Sequence, residues 1–254
     1  MRITFLGTGT SQGVPLISCK CHVCRSTDER DKRLRSAISL RIGEQYIVID
    51  SGPDFRQQML RDEATHLDAI VFTHEHKDHI AGLDDVRAFN FTSGKPVHVY
   101  CTEKVEEALR REFHYAFSEN KYPGVPEIIL NRIENSPFSI NGINFNPIEV
   151  LHFKMKVFGY RIGNFTYITD ANFISEEEIN KIVGSEILVL NGLRKEPHPS
   201  HFTFDQALAL IARINPKAAY LTHISHQLGT HEEVTQELPP NVYLAYDGLT
   251  LELQ

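Results

Sequence analysis

The sequence predicts an α/β fold built on mixed β-sheet, and three observations point that way. Short runs rich in β-branched and aromatic residues recur along the chain, and amphipathic helical segments separate several of them. At least one pair of neighbouring runs, Ser39–Ile42 and Tyr46–Asp50, is joined by a turn at Gly43-Glu44 too short for a crossover helix, so the sheet is not wholly parallel. The 254 residues are 41% hydrophobic and 23% charged, which suits a chain with a substantial buried core and excludes a disordered one. No repeat, low-complexity tract or linker interrupts the chain, so one domain over 1–254 is expected.

Taken in order, strands are expected near 2–6, 37–42, 46–50, 68–72 and 96–100, the last from the alternation Val97-His98-Val99-Tyr100-Cys101, in which Cys101 reads as a small core residue. Further strands are expected near 138–141, 143–150, 157–162, 165–169, 186–190, 217–221 and 242–253, with a turn inside the last. Helical periodicity is clearest at 103–112, 175–183 and 203–213. Ser175-Glu176-Glu177-Glu178 opens the second and Thr203-Phe204-Asp205 the third, each with a side chain suited to capping free amide groups. The segment Gly7-Thr8-Gly9-Thr10-Ser11-Gln12-Gly13 lacks the Lys-Ser/Thr of a phosphate-binding loop, and Gln12 stands where a dinucleotide fingerprint needs its third glycine. It reads as a tight turn.

The chemistry concentrates after the apolar run Ala69-Ile70-Val71-Phe72. There His74-Glu75-His76-Lys77-Asp78-His79 places four metal-ligand side chains within six residues. In extended backbone His74 and His76 project to the same side and can share an ion, while Asp78 and His79, past the turn, reach a second. His152, Asp170 and His223 each stand at the exit of a later apolar run.

His-x-His-x-Asp-His resembles the signature of the metallo-β-lactamase-fold hydrolases. That resemblance implies an αββα sandwich, two mixed sheets flanked by helices, and late ligands in the order His, Asp, His, which His152, Asp170 and His223 supply. It further implies that His74, His76 and His152 hold one divalent ion and Asp78, His79 and His223 the other, with Asp170 bridging, and that a metal-bridging hydroxide is the nucleophile. Asp78 and His201 are the candidate catalytic residues. His201, in Arg194-Lys195-Glu196-Pro197-His198-Pro199-Ser200-His201, is the expected general acid or oxyanion stabiliser, with His198 the second choice; Arg194 is a candidate phosphate contact. Asp50-Ser51-Gly52 resembles the superfamily segment whose aspartate supports the metal loop.

Cys19-x-Cys21-x-x-Cys24 is too clustered for a secreted disulfide framework and reads as a thiolate metal site, with His226 as fourth ligand. The cluster resembles the structural zinc site of PhnP-like phosphodiesterases, although PqqB-like proteins carry similar cysteines. The function implied is hydrolysis of small, cyclic phosphodiesters such as cyclic ribosyl phosphates or 2′,3′-cyclic nucleotides. Zinc or manganese, or else iron or nickel, is expected at the two active-site positions, and zinc at the cysteines. Alternatives are a tRNase Z-like endonuclease, a thiolester or lactone hydrolase, and a non-enzymatic PqqB-like cofactor-pathway protein. A net charge of −7 and the lack of a long basic insertion argue against a nucleic-acid partner. No run is apolar enough for a membrane span and no signal-peptide h-region opens the chain, so a cytoplasmic location is expected. Phe113–Phe117 with Tyr122-Pro123-Gly124 packs a helix end, walls the cleft or makes a homodimer contact.

Overall fold

The computed structural model describes residues 1–253. Its strands are β1 (Arg2–Gly7), β2 (Ala37–Ile42), β3 (Gln45–Ile49), β4 (Ala69–Val71), β5 (Val97–Cys101), β6 (Ile128–Arg132), β7 (Phe138–Ile140) and β8 (Ile143–His152). There follow β9 (Met155–Ile162), β10 (Phe165–Ile168), β11 (Phe173–Ile174), β12 (Ile187–Asn191), β13 (Ala218–Thr222), β14 (Val242–Leu244) and β15 (Thr250–Glu252). The helices are α1 (Phe55–Arg61), α2 (Lys77–Ile80), α3 (Arg87–Ser93), α4 (Glu103–Glu112), α5 (His114–Phe117), α6 (Glu176–Ile182), α7 (Phe204–Ile214) and α8 (His231–Thr235). By contact density the chain divides into two compact units: Met1–Leu6, Ala37–Glu134 and the stretch from Thr250, and Gly7–Ser36 with Asn135–Leu249.

The first unit holds a seven-stranded sheet in the order β15-β1-β2-β3-β4-β5-β6. The expected hairpin is present, with Ile42 opposite Gln45 across β2 and β3, and β3 to β6 run parallel. Parallel neighbours need crossovers, and α1, then α2 with α3, then α4 with α5 supply them. Their apolar faces meet the sheet in one cluster that includes Tyr46, Val48, Ile70, Phe72, Phe55, Met59, Val86 and Leu109. Neither α1, α3 nor β6 is expected from periodicity. The two helices are only seven residues long, and neither has a side-chain hydrogen bond at its N-cap, so tertiary packing stabilises them more than local signals do.

The second unit holds an eight-stranded sheet, β11-β8-β9-β10-β12-β13-β14 with β7 on β8. Its β7 to β10 part is antiparallel, whereas β10, β12, β13 and β14 are parallel and connected through α6, α7 and α8. Thr203 and Thr230 each close a reciprocal capping box, at α7 and α8, and Ser175 caps α6, which explains why α6 and α7 are legible in sequence. The core runs from Ile148 and Val150 through Ile179, Leu188, Leu190 and Ile211 to Leu221. Two mixed sheets flanked by helices, the expected fold class, are therefore present. No helix among the described residues is long and apolar enough to cross a membrane.

Candidate metal centres

In open α/β sheets the carboxyl ends of parallel strands leave backbone groups and loops free for chemistry, and the donor residues of each unit collect there. In the first unit Asp50 follows β3 and Thr73-His74 follows β4. The chain then turns through His76 into α2, which carries Asp78 and His79. His79 is fully buried, and its Nδ1–H donates to Asp50 Oδ2 at 2.7 Å. Thr73 N–H and Oγ1–H donate to the same carboxylate at 2.9 and 2.8 Å. Burial pushes the Asp50 carboxyl up, while His79 and Thr73 pull it down. Fixing Nδ1 as the donor leaves His79 Nε2 as a lone-pair nitrogen, 3.1 Å from Asp78 Oδ2. His74 Nε2 and His76 Nδ1 approach to 3.1 Å. That spacing is close to the roughly 3.3 Å edge of a tetrahedron with metal–nitrogen bonds of about 2.0–2.1 Å.

In the second unit Asp170 stands two residues past the end of β10, His223 follows β13, and His152 is the last residue of β8. His152 Nδ1–H donates to Ser200 O at 2.8 Å, which again directs Nε2 away as a lone pair. Asp170 Oδ2 lies 3.2 Å from His223 Nδ1 and accepts from Thr169 Oγ1 at 2.6 Å. Asp170 and His223 have φ of 51° and 55°, and Asp50 in the first unit has 68°. A left-handed backbone at Asp50, Asp170 and His223 is a cost concentrated where these side chains must turn off a strand.

His201 is buried among these groups. Its ring centroid is 4.6 Å from that of His152, 4.8 Å from His223 and 5.0 Å from His198, and His152, Asp170 and His201 offer converging donor atoms. Its Nδ1 has no hydrogen-bond partner, the carboxylate of Asp170 standing 3.9 Å away. Burial, then the neighbouring His223, pushes the imidazole down to about 2, so the ring is neutral. Arg194 is committed elsewhere: its guanidinium donates to Glu196 O, Pro197 O and Gln227 Oε1 at 3.3, 3.0 and 2.7 Å, bracing the His198–His201 loop. Neither that brace nor the Ser200 carbonyl carries a sequence signal, because both depend on where the loop folds back.

Cys19, Cys21, Cys24 and His226 come together in the second unit. His226 Nδ1 lies 3.5 Å from Cys19 Sγ and 3.3 Å from Cys21 Sγ. A zinc ion with bonds of about 2.3 Å to sulfur and 2.0–2.1 Å to nitrogen sets a sulfur–nitrogen edge near 3.6 Å, so the donors fit. The amides of Leu16 and Cys24 donate to Cys24 Sγ and Cys21 Sγ, both at 3.4 Å, as amide groups do around thiolates. His226 lowers the Cys21 thiol to about 6, whereas burial raises Cys24 to about 11. His22 turns away to Glu233, 3.3 Å from its carboxylate.

Residues 45–224 match the sequence profile of the beta-lactamase superfamily domain. The chain belongs to that superfamily. It is 40% identical over 252 residues to an octanoyltransferase of Porphyromonas gingivalis, a match covering 98% of this chain and 51% of that protein. The chain thus spans about half the length of the curated relatives it matches. Among solved structures, a diphosphatase from the PhnP family superposes with a TM-score of 0.94 at 39% identity, covering 100% of this chain and 98% of that one. Zinc-bound PqqB from Methylobacterium extorquens superposes at 0.82 with 20% identity and full coverage of both chains, a likeness of fold alone. Fold and family are those of the metallo-β-lactamase type, and the His/Asp clusters offer donor sets suited to divalent metal ions.

Proposed function

We propose that the chain is a dinuclear metal-dependent phosphodiesterase acting on small, chiefly cyclic, phosphodiesters. The reading is supported above all by the buried His152–Asp170–His201–His223 group in a chain that superposes along its length on a PhnP-family diphosphatase. The assignment of His74, His76 and His152 to one ion, Asp78, His79 and His223 to the other, and Asp170 to both belongs to this proposal. So does a structural zinc on Cys19, Cys21, Cys24 and His226. Divalent ions bound by such donors supply Lewis-acid charge and activate water near neutral pH. The chain's own residues do the rest. Asp50 and Ser200 hold His79 and His152 in the tautomer that presents Nε2, and His201, neutral and dry, offers a ring N–H to the oxygen on which charge develops. A small phosphodiester is the partner expected, in the cytoplasm.

A second reading is hydrolysis of an acyl thiolester, because the same donors can polarise a carbonyl and the Porphyromonas gingivalis relative, of which the match covers 51%, is named an octanoyltransferase. The metal-reconstituted protein assayed on bis(p-nitrophenyl) phosphate, a 2′,3′-cyclic nucleotide, an octanoyl thiolester and a pre-tRNA decides between them. Turnover of the two phosphodiesters well above the thiolester and the RNA is expected. Thiolester turnover with inert phosphodiesters would overturn the first reading.

A further inference from the structure

The tip of the β8–β9 hairpin carries a residue that the turn does not favour. His152 pairs with Met155, which leaves Phe153-Lys154 as a two-residue turn. Phe153 adopts φ 58°, a position such turns fill with Gly, Asn or Asp because a Cβ there crowds the backbone. A bulky aromatic in that region is an outlier, and burial does not repay it, since Phe153 is 56% exposed. The conformation is held from outside the turn. Phe153 N–H donates to Asn172 Oδ1 at 2.6 Å, and Asn172 N–H donates to Leu151 O at 2.8 Å, so the residue just before β11 fixes the backbone of the turn directly after His152. Lys154 Nζ lies 5.4 Å from the ring centroid.

We propose that Phe153 is a specificity residue: a stacking surface for the aromatic base of a nucleotide-like phosphodiester, with the Lys154 ammonium beside it for the substrate's negative charge. The inference rests on the phosphodiesterase reading and narrows its substrate class. A flat apolar ring, exposed on a turn whose backbone is already fixed by Asn172, leaves only its own side-chain torsions to be ordered when a base stacks on it, and base–aromatic stacking tolerates any base. Its place directly after a proposed metal ligand suits a substrate whose base lies a few ångström from the scissile phosphate.

The chain contains no tryptophan, so Phe153→Trp introduces a single indole reporter. Adenosine 3′-monophosphate should quench its fluorescence saturably in the metal-loaded protein, whereas ribose 5-phosphate, with a phosphate but no base, should not. In kinetics, Phe153→Ala should lower kcat/KM for adenosine 2′,3′-cyclic phosphate by about 10- to 100-fold, mainly through KM. Turnover of a base-free cyclic ribosyl phosphate should be unchanged. Equal loss on both substrates, or quenching by both ligands alike, would overturn the proposal. If the parent protein turns over neither cyclic phosphate, the phosphodiesterase reading fails, and the quenching comparison still decides whether Phe153 stacks a base.

Discussion

His201 and His231 show two uses of a buried imidazole. His201 has an unpartnered Nδ1 beside Asp170, His152 and His223, which suits a group that assists a leaving oxygen. Assistance matters most for poor leaving groups, so His201→Ala should slow a 2′,3′-cyclic nucleotide by roughly 10²–10⁴-fold and bis(p-nitrophenyl) phosphate much less, with metal content unchanged. Equal slowing would make it a positioning group rather than a donor to the leaving oxygen, and lost metal would make it a ligand. His231 has no such place. Burial, then Arg33 and Arg30, lowers it to about 4 against the partial opposition of Asp28 and Asp31, and Tyr246 lies edge-on at 5.7 Å between ring centroids. Unfolded, it takes a proton near its ordinary value of about 6.5; folded, it resists until about 4. Its contribution to stability is thus complete above pH 6.5 or so and is lost as pH falls toward 4. The Tm of the parent protein should drop more steeply between pH 7 and pH 5 than that of His231→Gln, and parallel slopes would refute this.

Among the elements, α2 is short and owes its position to the loops around it. Ser51 N–H donates to His79 O and Gly82 N–H to Ser51 O, both at 2.8 Å, lacing the end of β3 to the turn after α2. A Cβ on Gly82 would stand 2.1 Å from Gly52 O and 2.6 Å from Phe55 Cβ. The obstacle is backbone, which cannot swing aside. Gly82→Ala should therefore destabilise the fold by about 1–3 kcal/mol or more and shift His79, lowering metal content as well as Tm. A variant with full metal occupancy and unchanged Tm would show that the loop yields freely.

For the molecule as a whole, the donor sets predict up to three ions per chain, two at the proposed active centre and one at the cysteines. Elemental analysis after reconstitution should approach that number, and no more than one ion would sink the two-centre scheme. Cys21→Ala should remove one ion and lower thermal stability, because Cys19–Cys24 and His226 lie far apart in sequence and a bound metal cross-links them. Asp170→Ala should abolish activity and leave the cysteine-bound ion in place. Equal loss of all metal from both variants would contradict separate sites.

The sequence by itself determined the fold class, most strand positions and the helices α4, α6 and α7, and it made the candidate ligands legible as residue types. These are local matters: periodicity of two or 3.6, capping side chains, and ligand types clustered at strand exits, all readable in windows of a few residues. Tertiary structure alone decided the rest. The short helices α1 and α3 and the edge strand β6 exist because packing and pairing stabilise what propensity leaves marginal. The carbonyl of Ser200 orients His152, the guanidinium of Arg194, a candidate phosphate contact by sequence, reaches Gln227, and Phe153 is held at positive φ by Asn172. Each of these is a contact between segments that no window contains together, formed only after the backbone has brought one strand end beside another.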